Sequence, residues 1–293
     1  ATNSVTLGAA AQSVTGGTGA DTVTMINSAS GTINLAGGTN VVNVGDGVNT
    51  ASATISASGS YSVNLTGTAA SSTIKNTQLT GASGVTETST GAKQVTVSGA
   101  LSGYTIDAQI DTLVLDNATN SVTLAATGQN VTGGSGADTV TMVDSATGTI
   151  ALAGGSNVVK VGDSVDISGA TLTASGGTLD INLSGSATSS VTVAAAHLTT
   201  ANTMSEASTG AKTVTAVGAL SGYTLHTTID TLVLADATNS VTLGAAAQNV
   251  TGGSGADTVT MVTSASGTIN LAGGTNVINV GASEDISGAT LSK

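Results

Sequence analysis

The sequence predicts an all-β fold, a parallel β-solenoid of the β-roll or β-helix type, built from short strands with Gly, Asp and Asn turns. Three observations lead to this prediction: the composition, a long internal repeat, and a shorter period of nine residues within the repeat. Phe, Trp, Pro and Cys are absent and only three Tyr occur among 293 residues. The core must therefore consist of Val, Leu, Ile, Ala and Met, which suit a narrow stack of coils better than a globular core rich in aromatic residues.

Intrinsic disorder is the competing interpretation, because Gly, Ser, Thr and Ala dominate the sequence. Against it, the charged fraction is only 8% and the mean hydropathy is +0.32. Pro, which disordered chains accumulate, is missing. These three properties favour a folded chain.

The long repeat is marked by the segment ATNSVTL, which begins at residues 1, 118 and 237. We therefore divide the chain into repeat 1 (1–117), repeat 2 (118–236) and a partial repeat 3 (237–293), and expect them to form one continuous solenoid. Solenoids normally end in atypical capping repeats. Both ends of this sequence have ordinary repeat sequence, so we expect a segment of a longer array.

The nine-residue period is clearest in repeat 2, where short strands alternate with turns. Each strand has apolar side chains at its second and fourth positions, as in Leu113 and Leu115 or Val122 and Leu124. Alternation of this kind is the signature of a strand, and no window shows the 3.6-residue period of a helix. Because such strands cannot bury a face alone, we expect coils of about 18 to 20 residues to stack roughly 4.8 Å apart, giving about 15 layers.

The second half of each repeat is less regular. Its candidate strands in repeat 2 are TLDINL, SVTVAA, KTVTAV and YTLH, within residues 178–226, and they are spaced more widely than nine residues. This spacing predicts longer turns or a wider coil in that half.

The charge pattern excludes several classes of partner. The net charge is −12, from 17 acidic residues and five Lys, so nucleic acid is not expected as a partner because phosphate contacts need clustered basic residues. No apolar run reaches the roughly 18 residues of a membrane span. An acidic chain without Cys fits an extracellular protein.

Each repeat contains one glycine-rich turn that ends on an aspartate and leads into a strand: GGTGADTVT at 16–24, and GGSGADTVT at 133–141 and 252–260. Glycines let carbonyl groups converge in a tight bend, and Ca²⁺ prefers six to eight hard oxygen ligands. The candidate metal-ligating residues are Gly16, Gly17, Gly19, Asp21, Gly133, Gly134, Gly136, Asp138, Gly252, Gly253, Gly255 and Asp257.

Two interpretations of these turns remain open. With coils of 18 residues, Asn120 and Asn157 flank Asp138, so a site would have one carboxylate with neutral oxygens, and we expect any Ca²⁺ site to be sparse and weak. In the alternative, the aspartate accepts hydrogen bonds from backbone amides in a sharp corner. Asp46 and Asp163 are weaker metal candidates, since repeat 3 has Ala282 at the equivalent position.

The three nonapeptides match G-G-x-G-x-D-x-U-x and so resemble the repeats of RTX-type β-rolls. The surrounding sequence is similar to repeat regions of bacterial S-layer proteins and large secreted adhesins. The resemblance implies Ca²⁺ bound through backbone carbonyls and the aspartate, with two stacked turns sharing each ion, and secretion to the bacterial cell surface.

The sequence contains two His, and it also has Tyr and Lys that recur in equivalent places. His197 and His226 are replaced in repeat 1 by Gln78 and Asp107, so neither is expected to act in catalysis or to bind zinc. Two further pairs recur once per repeat: Tyr104 with Tyr223, for packing or for sugar stacking, and Lys93 with Lys212, for local or inter-subunit ion pairs with Glu87 and Glu206.

Repetition without a singular site rich in reactive side chains predicts an extracellular structural protein of a bacterial cell-surface layer or fibre, with Ca²⁺ as its candidate stabilising ion. The alternative is the stalk of a large secreted adhesin. We do not expect an enzyme: a polysaccharide-acting β-helix would need basic residues to neutralise a uronate. Unpaired strand edges predict end-to-end or lateral self-association, and cell-surface polysaccharide is a further candidate partner.

Overall fold

The computed structural model describes residues 1–68, 71–186, 188–201, 203–207, 210–261 and 264–293. The protein is an all-parallel β-solenoid of about 15 turns, with about 4% helix, which confirms the predicted fold class. By its contacts the chain divides into compact unit 1 (1–139, 149–155 and 175–177) and compact unit 2 (140–148, 156–174 and 178–293). The three repeats describe the period of the sequence, and their use as domains stays a prediction.

Compact unit 1 contains parallel sheets of short strands. One sheet consists of β1 (Asn3–Leu7), β3 (Asp21–Met25), β5 (Thr39–Val44), β7 (Ser60–Leu65) and β9 (Val85–Glu87). A second consists of β2 (Val14–Thr15), β4 (Thr32–Leu35) and β6 (Thr54–Ala57). A third contains β8 (Ser71–Lys75), β10 (Gln94–Ser98), β12 (Thr112–Val114), β14 (Asn130–Thr132) and β16 (Thr149–Leu152). A fourth begins with β11 (Tyr104–Thr105) and β13 (Asn120–Thr123), and β15 (Asp138–Met142) starts in this unit.

Compact unit 2 has the same organisation. Its first sheet contains β17 (Ser156–Val161), β19 (Thr178–Leu183) and β21 (Thr203–Glu206). Its second contains β23 (Tyr223–Thr224), β25 (Asn239–Thr242), β27 (Asp257–Met261) and β29 (Val277–Val280). Its third contains β20 (Ser189–Ala194), β22 (Lys212–Val217), β24 (Thr231–Val233), β26 (Asn249–Thr251), β28 (Thr268–Asn270) and β30 (Thr290–Ser292). The strand β18 (Thr171–Ala174) also lies in this unit.

The core is the ladder of apolar side chains predicted from the nine-residue period. Alternate residues of the strands point inward, as in the buried, half-buried, buried pattern of β3, β15 and β27. The predicted inward residues at the end of repeat 1 and in repeat 2 are all buried: Leu113, Leu115, Val122, Leu124, Val140, Met142, Ile150, Leu152, Val159 and Val161. The alternation therefore identifies the core side of these strands correctly.

Coil length differs between the two halves of each repeat. In the regular half, Asn3 contacts Asp21 at a separation of 18 residues and Asp21 contacts Asn40 at 19. In the less regular half the separation rises to 23 residues, as between Asp180 and Thr203 in adjacent strands. The coils of this half are therefore longer, as expected from longer turns or a wider coil.

Two short helices, α1 (Asn76–Gly81) and α2 (Ala195–Thr200), lie in the wider coils. No helix is expected from the sequence, and for these six-residue segments that expectation is wrong. A helix of fewer than two turns has too few residues to display a 3.6-residue apolar period. Its position is set instead by side chains that bind it to neighbouring coils.

Candidate functional site

All the glycines of the three GGxGAD turns except Gly17 are required because a neighbouring atom lies too close for a side chain. A Cβ atom at Gly16, Gly133 or Gly252 would lie 2.5 to 2.6 Å from Oδ2 of the aspartate in the same turn. The fourth residue of each turn meets a backbone carbonyl of the preceding coil, which leaves no room for a side chain there either: Gly19 meets Ala1, Gly136 meets Ala118 and Gly255 meets Ala237. Gly17, in turn, donates its amide to Oδ2 of Asp21 at 3.0 Å.

The aspartates of these turns point into the solenoid and are buried. In repeat 1, Oδ1 of Asp21 accepts hydrogen bonds from the backbone N and Nδ2 of Asn3, at 3.0 and 2.7 Å. The amide of Asp21 donates to Oδ1 of Asn40 at 2.9 Å. The order Asn, Asp, Asn that the sequence predicts around Asp138 therefore occurs around Asp21.

The other copies repeat these contacts. Nδ2 of Asn120 donates to Oδ1 of Asp138 at 2.8 Å, and Nδ2 of Asn239 donates to Oδ1 of Asp257, also at 2.8 Å. The amide of Asp257 donates to Oδ1 of Asn276 at 2.9 Å. We call these groups the Asx corners, and their members are Asn3, Asp21, Asn40, Asn120, Asp138, Asn239, Asp257 and Asn276.

The Asx corners give two aspartates opposite pKa shifts. The hydrogen bond from the Asn3 side chain is the largest of the effects that lower the pKa of Asp21. Burial is the largest effect at Asp138 and raises its pKa, although bonds from Asn120 and the Gly134 amide oppose it. The pKa of the motif's aspartate is thus lowered in one coil and raised in another.

These contacts bear on how the turns fit Ca²⁺. The groups directed at the carboxylates are N–H donors, whereas Ca²⁺ requires six to eight oxygen ligands. Oδ2 of Asp257 is buried without a hydrogen-bond partner among the described residues. At that turn, this oxygen is therefore the one side-chain ligand that a cation could use. No group of three or more His, Asp or Glu side chains suited to a metal occurs within the described ranges. The geometry favours the hydrogen-bonded corner, and Ca²⁺ binding at these turns stays a prediction.

Asp46 and Asp163, the weaker metal candidates, also accept backbone amides from the next coil. Oδ2 of Asp46 accepts from the Thr68 amide at 3.1 Å and Oδ2 of Asp163 from the Ser186 amide at 2.8 Å. The bond from the Ser186 amide is the main cause of the lowered pKa of Asp163. Both side chains therefore link neighbouring coils.

Gln129 and Gln248 also link neighbouring coils, a role that was not predicted from the sequence. Oε1 of Gln129 accepts the amides of Ala125 and Ala126 at 2.8 and 3.0 Å. Its Nε2 donates to the carbonyls of Asp107 and Ile110 in the preceding coil, at 2.8 and 3.0 Å. Gln248 in repeat 3 makes the same four bonds with its own neighbours. The recurrence of AxxQ before NVT or SVT was the available sequence signal.

The helices are held by Gln78 and His197, which occupy equivalent positions. Oε1 of Gln78 accepts the Lys75 amide at 3.1 Å, while its Nε2 donates to Thr50 O and Ala53 O, both at 2.9 Å. His197 has the corresponding contacts, with Nδ1 accepting the Ala194 amide at 3.3 Å and Nε2 lying 3.0 Å from the Ala170 carbonyl.

These two bonds assign the proton of the buried His197 ring to Nε2. Burial lowers the pKa of His197, and the bond to Ala170 opposes this effect. The neutral imidazole of His197 thus makes the contacts that the amide of Gln78 makes in repeat 1.

Lys93 and Lys212 are completely buried. The Lys93 ammonium donates to the carbonyls of Ser89, at 3.1 Å, and Gly91, and lies 3.4 Å from Oε2 of Glu87. Lys212 donates to Ser186 O at 3.2 Å and lies 4.0 Å from Oε2 of Glu206. The local ion pairs considered from the sequence are therefore present, with backbone carbonyls as additional partners of each ammonium.

The two SGYT tyrosines differ in their surroundings. Oη of Tyr104 donates to Oδ2 of Asp107 at 2.8 Å, and both residues line a cleft of about 380 Å³ beside the end of α1. Oη of Tyr223 lies 3.8 Å from the sulfur of Met204. His226, in the position of Asp107, has its Nδ1 3.1 Å from Oγ1 of Thr228.

Comparison with known proteins gave no match to a family model, to a curated protein or to a solved structure. Within the described residues, no helix has the length and apolar character needed to span a membrane.

Proposed function

We propose that this protein is an extracellular structural repeat protein that forms part of a bacterial cell-surface layer or fibre. The observation that carries the proposal is that polar residues recurring with the repeat form the contacts between coils. The Asx corners, the glutamines and the buried lysines recur with the repeat, and the contacts of the corners, of the glutamines and of Lys212 join one coil to the next. A sequence constrained in this way maintains a regular solenoid, which is what a structural array requires.

Exposed apolar side chains at equivalent positions support lateral self-association. Ile26 in repeat 1 and Val143 in repeat 2 directly follow the strands β3 and β15 and are 58% and 55% exposed. Scattered exposed apolar residues are normal on a protein surface. Recurrence at the repeat period instead suits a contact that is made once per repeat.

Electron microscopy of the purified full chain tests the assembly. We expect ordered layers or fibres, and we expect the double variant Ile26→Asp with Val143→Asp to remain folded but to lose lateral order. Val217→Asp is the matched control, because Val217 is 48% exposed and repeat 1 has Ser98 at the equivalent position. Short isolated monomers of the unaltered chain under all conditions would contradict the proposal.

Ca²⁺ stabilisation is a separate part of the proposal and has its own test. A ligand that binds only the folded chain raises its melting temperature by an amount set by concentration over Kd. A higher melting temperature in millimolar Ca²⁺ than in chelator would support ion binding at the GGxGAD turns. Identical melts would remove Ca²⁺ and leave the structural role intact.

A further inference from the structure

A cleft in compact unit 1 lies between the segment that ends α1 and the loop that contains β11. Its volume is about 380 Å³, and its lining includes Thr80, Ser83, Gly84, Tyr104, Thr105 and Asp107. This volume is at the lower end of the range of roughly 300 to 1,000 Å³ found for small-molecule sites. We propose that the cleft binds a neutral saccharide, a function that does not depend on the structural role proposed above.

Asp107 supplies the directional acceptor of the cleft. Its Oδ2 accepts the Tyr104 hydroxyl at 2.8 Å, which fixes the orientation of the carboxylate. Its Oδ1 lies 3.6 Å from the position that a Cβ atom at Gly84 would take. Because Gly84 has no side chain, a ligand hydroxyl can approach Oδ1 from this side and donate to it.

Tyr104 supplies an aromatic surface in the same cleft. It is half-buried, and burial, followed by the bond to Asp107, raises the pKa of its hydroxyl. The tyrosine therefore remains protonated and continues to orient Asp107. An aromatic ring beside a carboxylate acceptor is the combination that binds the apolar and hydroxyl-bearing sides of a sugar ring.

The hydroxyl groups that line the cleft are available as acceptors. Oγ1 of Thr80 donates to Asn76 O at 3.1 Å and Oγ of Ser83 donates to Tyr61 O at 2.9 Å. Each hydrogen is thus used within the protein, and the oxygen lone pairs can accept from a ligand. A ligand with many hydroxyl donors satisfies these acceptors.

The charge of the cleft selects an uncharged ligand. The described residues that line it include Asp107 and neither Lys nor His, and the chain has a net charge of −12. A uronate would bring a second negative charge close to Asp107 without a cation to offset it. The cleft is therefore suited to neutral hexoses.

The equivalent region of repeat 2 provides an internal control. Tyr223 retains the tyrosine, but His226 replaces Asp107 and Thr203 replaces Gly84. Tyr223 is directed at the sulfur of Met204 instead of at a carboxylate. The full combination of aromatic ring, carboxylate and open glycine is thus a property of repeat 1.

The test uses saturation-transfer NMR and tyrosine fluorescence on the full chain, with cellohexaose and mannohexaose as neutral probes and hexagalacturonate as the acidic one. The absence of Trp and the presence of only three Tyr make the fluorescence specific. We expect saturable binding of a neutral probe, weakened at least tenfold by Tyr104→Leu and by the nearly isosteric Asp107→Asn. Tyr223→Leu should leave binding unchanged.

Three outcomes would overturn the saccharide site: no saturable binding of either neutral probe, equal binding of hexagalacturonate, or an equal loss of binding in Tyr223→Leu. Circular dichroism confirms that each variant is folded. If Tyr104→Leu does not fold, Asp107→Asn decides the result alone, since unchanged affinity in that variant also contradicts the site.

Discussion

The two halves of each repeat differ in how they hold neighbouring coils together. In the regular half, coils of 18 or 19 residues use the same short amide and carboxylate side chains turn after turn, as in the contacts of Asp21 with Asn3 and Asn40. In the wider half, the contacts occur once per repeat and involve larger groups, such as Gln78 or His197 at the helix. Lys212 reaches Ser186 in the preceding coil, whereas Lys93 binds carbonyls of its own turn.

This difference predicts unequal sensitivity to substitution. A residue of the Asx corners has similar hydrogen bonds next to it in the coil above or below. When that residue is replaced, these neighbouring bonds remain and limit the loss of stability. The buried lysine has no counterpart in the adjacent coils, and its loss leaves carbonyl groups of one turn unsatisfied. We therefore expect the wider half to be the more easily broken, and the following changes test this from the largest effect to the smallest.

Lys93→Met should destabilise the protein most. The variant leaves the carbonyls of Ser89 and Gly91 without their donor and Glu87 without its ion pair. Glu87 is 36% exposed, so the loss comes mainly from the two carbonyls. Each polar group left unsatisfied lowers the free energy of unfolding by about 1 to 3 kcal/mol. Urea unfolding followed by circular dichroism measures the change.

Lys160→Met is the matched control for Lys93→Met, because it removes the same charge from an exposed position of β17. The control should unfold at nearly the same urea concentration as the unaltered chain. Equal destabilisation by both substitutions would show that net charge matters more than the carbonyl contacts. That result would contradict the greater sensitivity expected for the wider half.

Asn120→Asp is expected to have the next largest effect and to sharpen the Ca²⁺ question. Nδ2 of Asn120 now donates to Oδ1 of Asp138. The substitution places two carboxylates in contact, which destabilises the corner but creates the paired aspartate turns that the RTX resemblance implies for an ion.

In chelator, Asn120→Asp should lower the free energy of unfolding by about 1 to 3 kcal/mol, because buried hydrogen bonds are lost. Millimolar Ca²⁺ should restore much of the difference, whereas Asn120→Ala should be destabilised without a response to Ca²⁺. Thermal melts measure both. If Asn120→Asp and Asn120→Ala respond alike, the turn cannot be converted to an ion site by its charge alone.

The regular half was predictable from the sequence because one coil specifies the next. The period of nine residues places Val122 and Leu124 in the core, and an 18-residue coil places Asn120 beside Asp138. Neither inference requires knowledge of distant parts of the chain. The fold class follows from the same two regularities.

The wider half was less predictable because its contacts depend on coil width. Gln78 reaches the carbonyl of Thr50, 28 residues away, and no local pattern predicts this separation. The burial of Lys93 contradicts the usual exposure of lysine, and only the recurrence of STGAK pointed to it. The cleft beside Tyr104 likewise depends on how α1 ends, and α1 was not predicted.

His197→Gln tests the helix contact by copying the residue that repeat 1 has at this position. The pKa of His197 is lowered by burial, so the folded state binds a proton less readily than the unfolded state. Stability from His197 is therefore complete above the ordinary pKa of 6.5 and decreases as the pH falls below it. The glutamine variant should lack this loss between pH 7 and 5.

Urea titrations at pH 7 and pH 5 give the change in unfolding free energy with pH for the variant and for the unaltered chain. Subtracting one change from the other isolates the His197 effect, because the contributions of the other titrating groups cancel. The variant Gln78→His supplies the reciprocal control, because it should introduce a similar loss of stability into repeat 1. A parallel pH dependence of His197→Gln and the unaltered chain would contradict a buried neutral imidazole.

The smallest expected effect distinguishes two copies of one motif. The pKa of Asp21 is lowered from 3.8, mainly by Asn3, so its stabilising contribution is present above that value and is lost as the pH falls through the folded-state pKa. The pKa of Asp138 is raised from 3.8 by burial, so its contribution to stability increases as the pH falls towards 3.8.

Relative to the unaltered chain, Asp21→Asn should therefore gain stability on acidification and Asp138→Asn should lose it. Urea unfolding from pH 6 to pH 3 measures both slopes, and slopes of the same sign would show that the two corners are electrostatically alike.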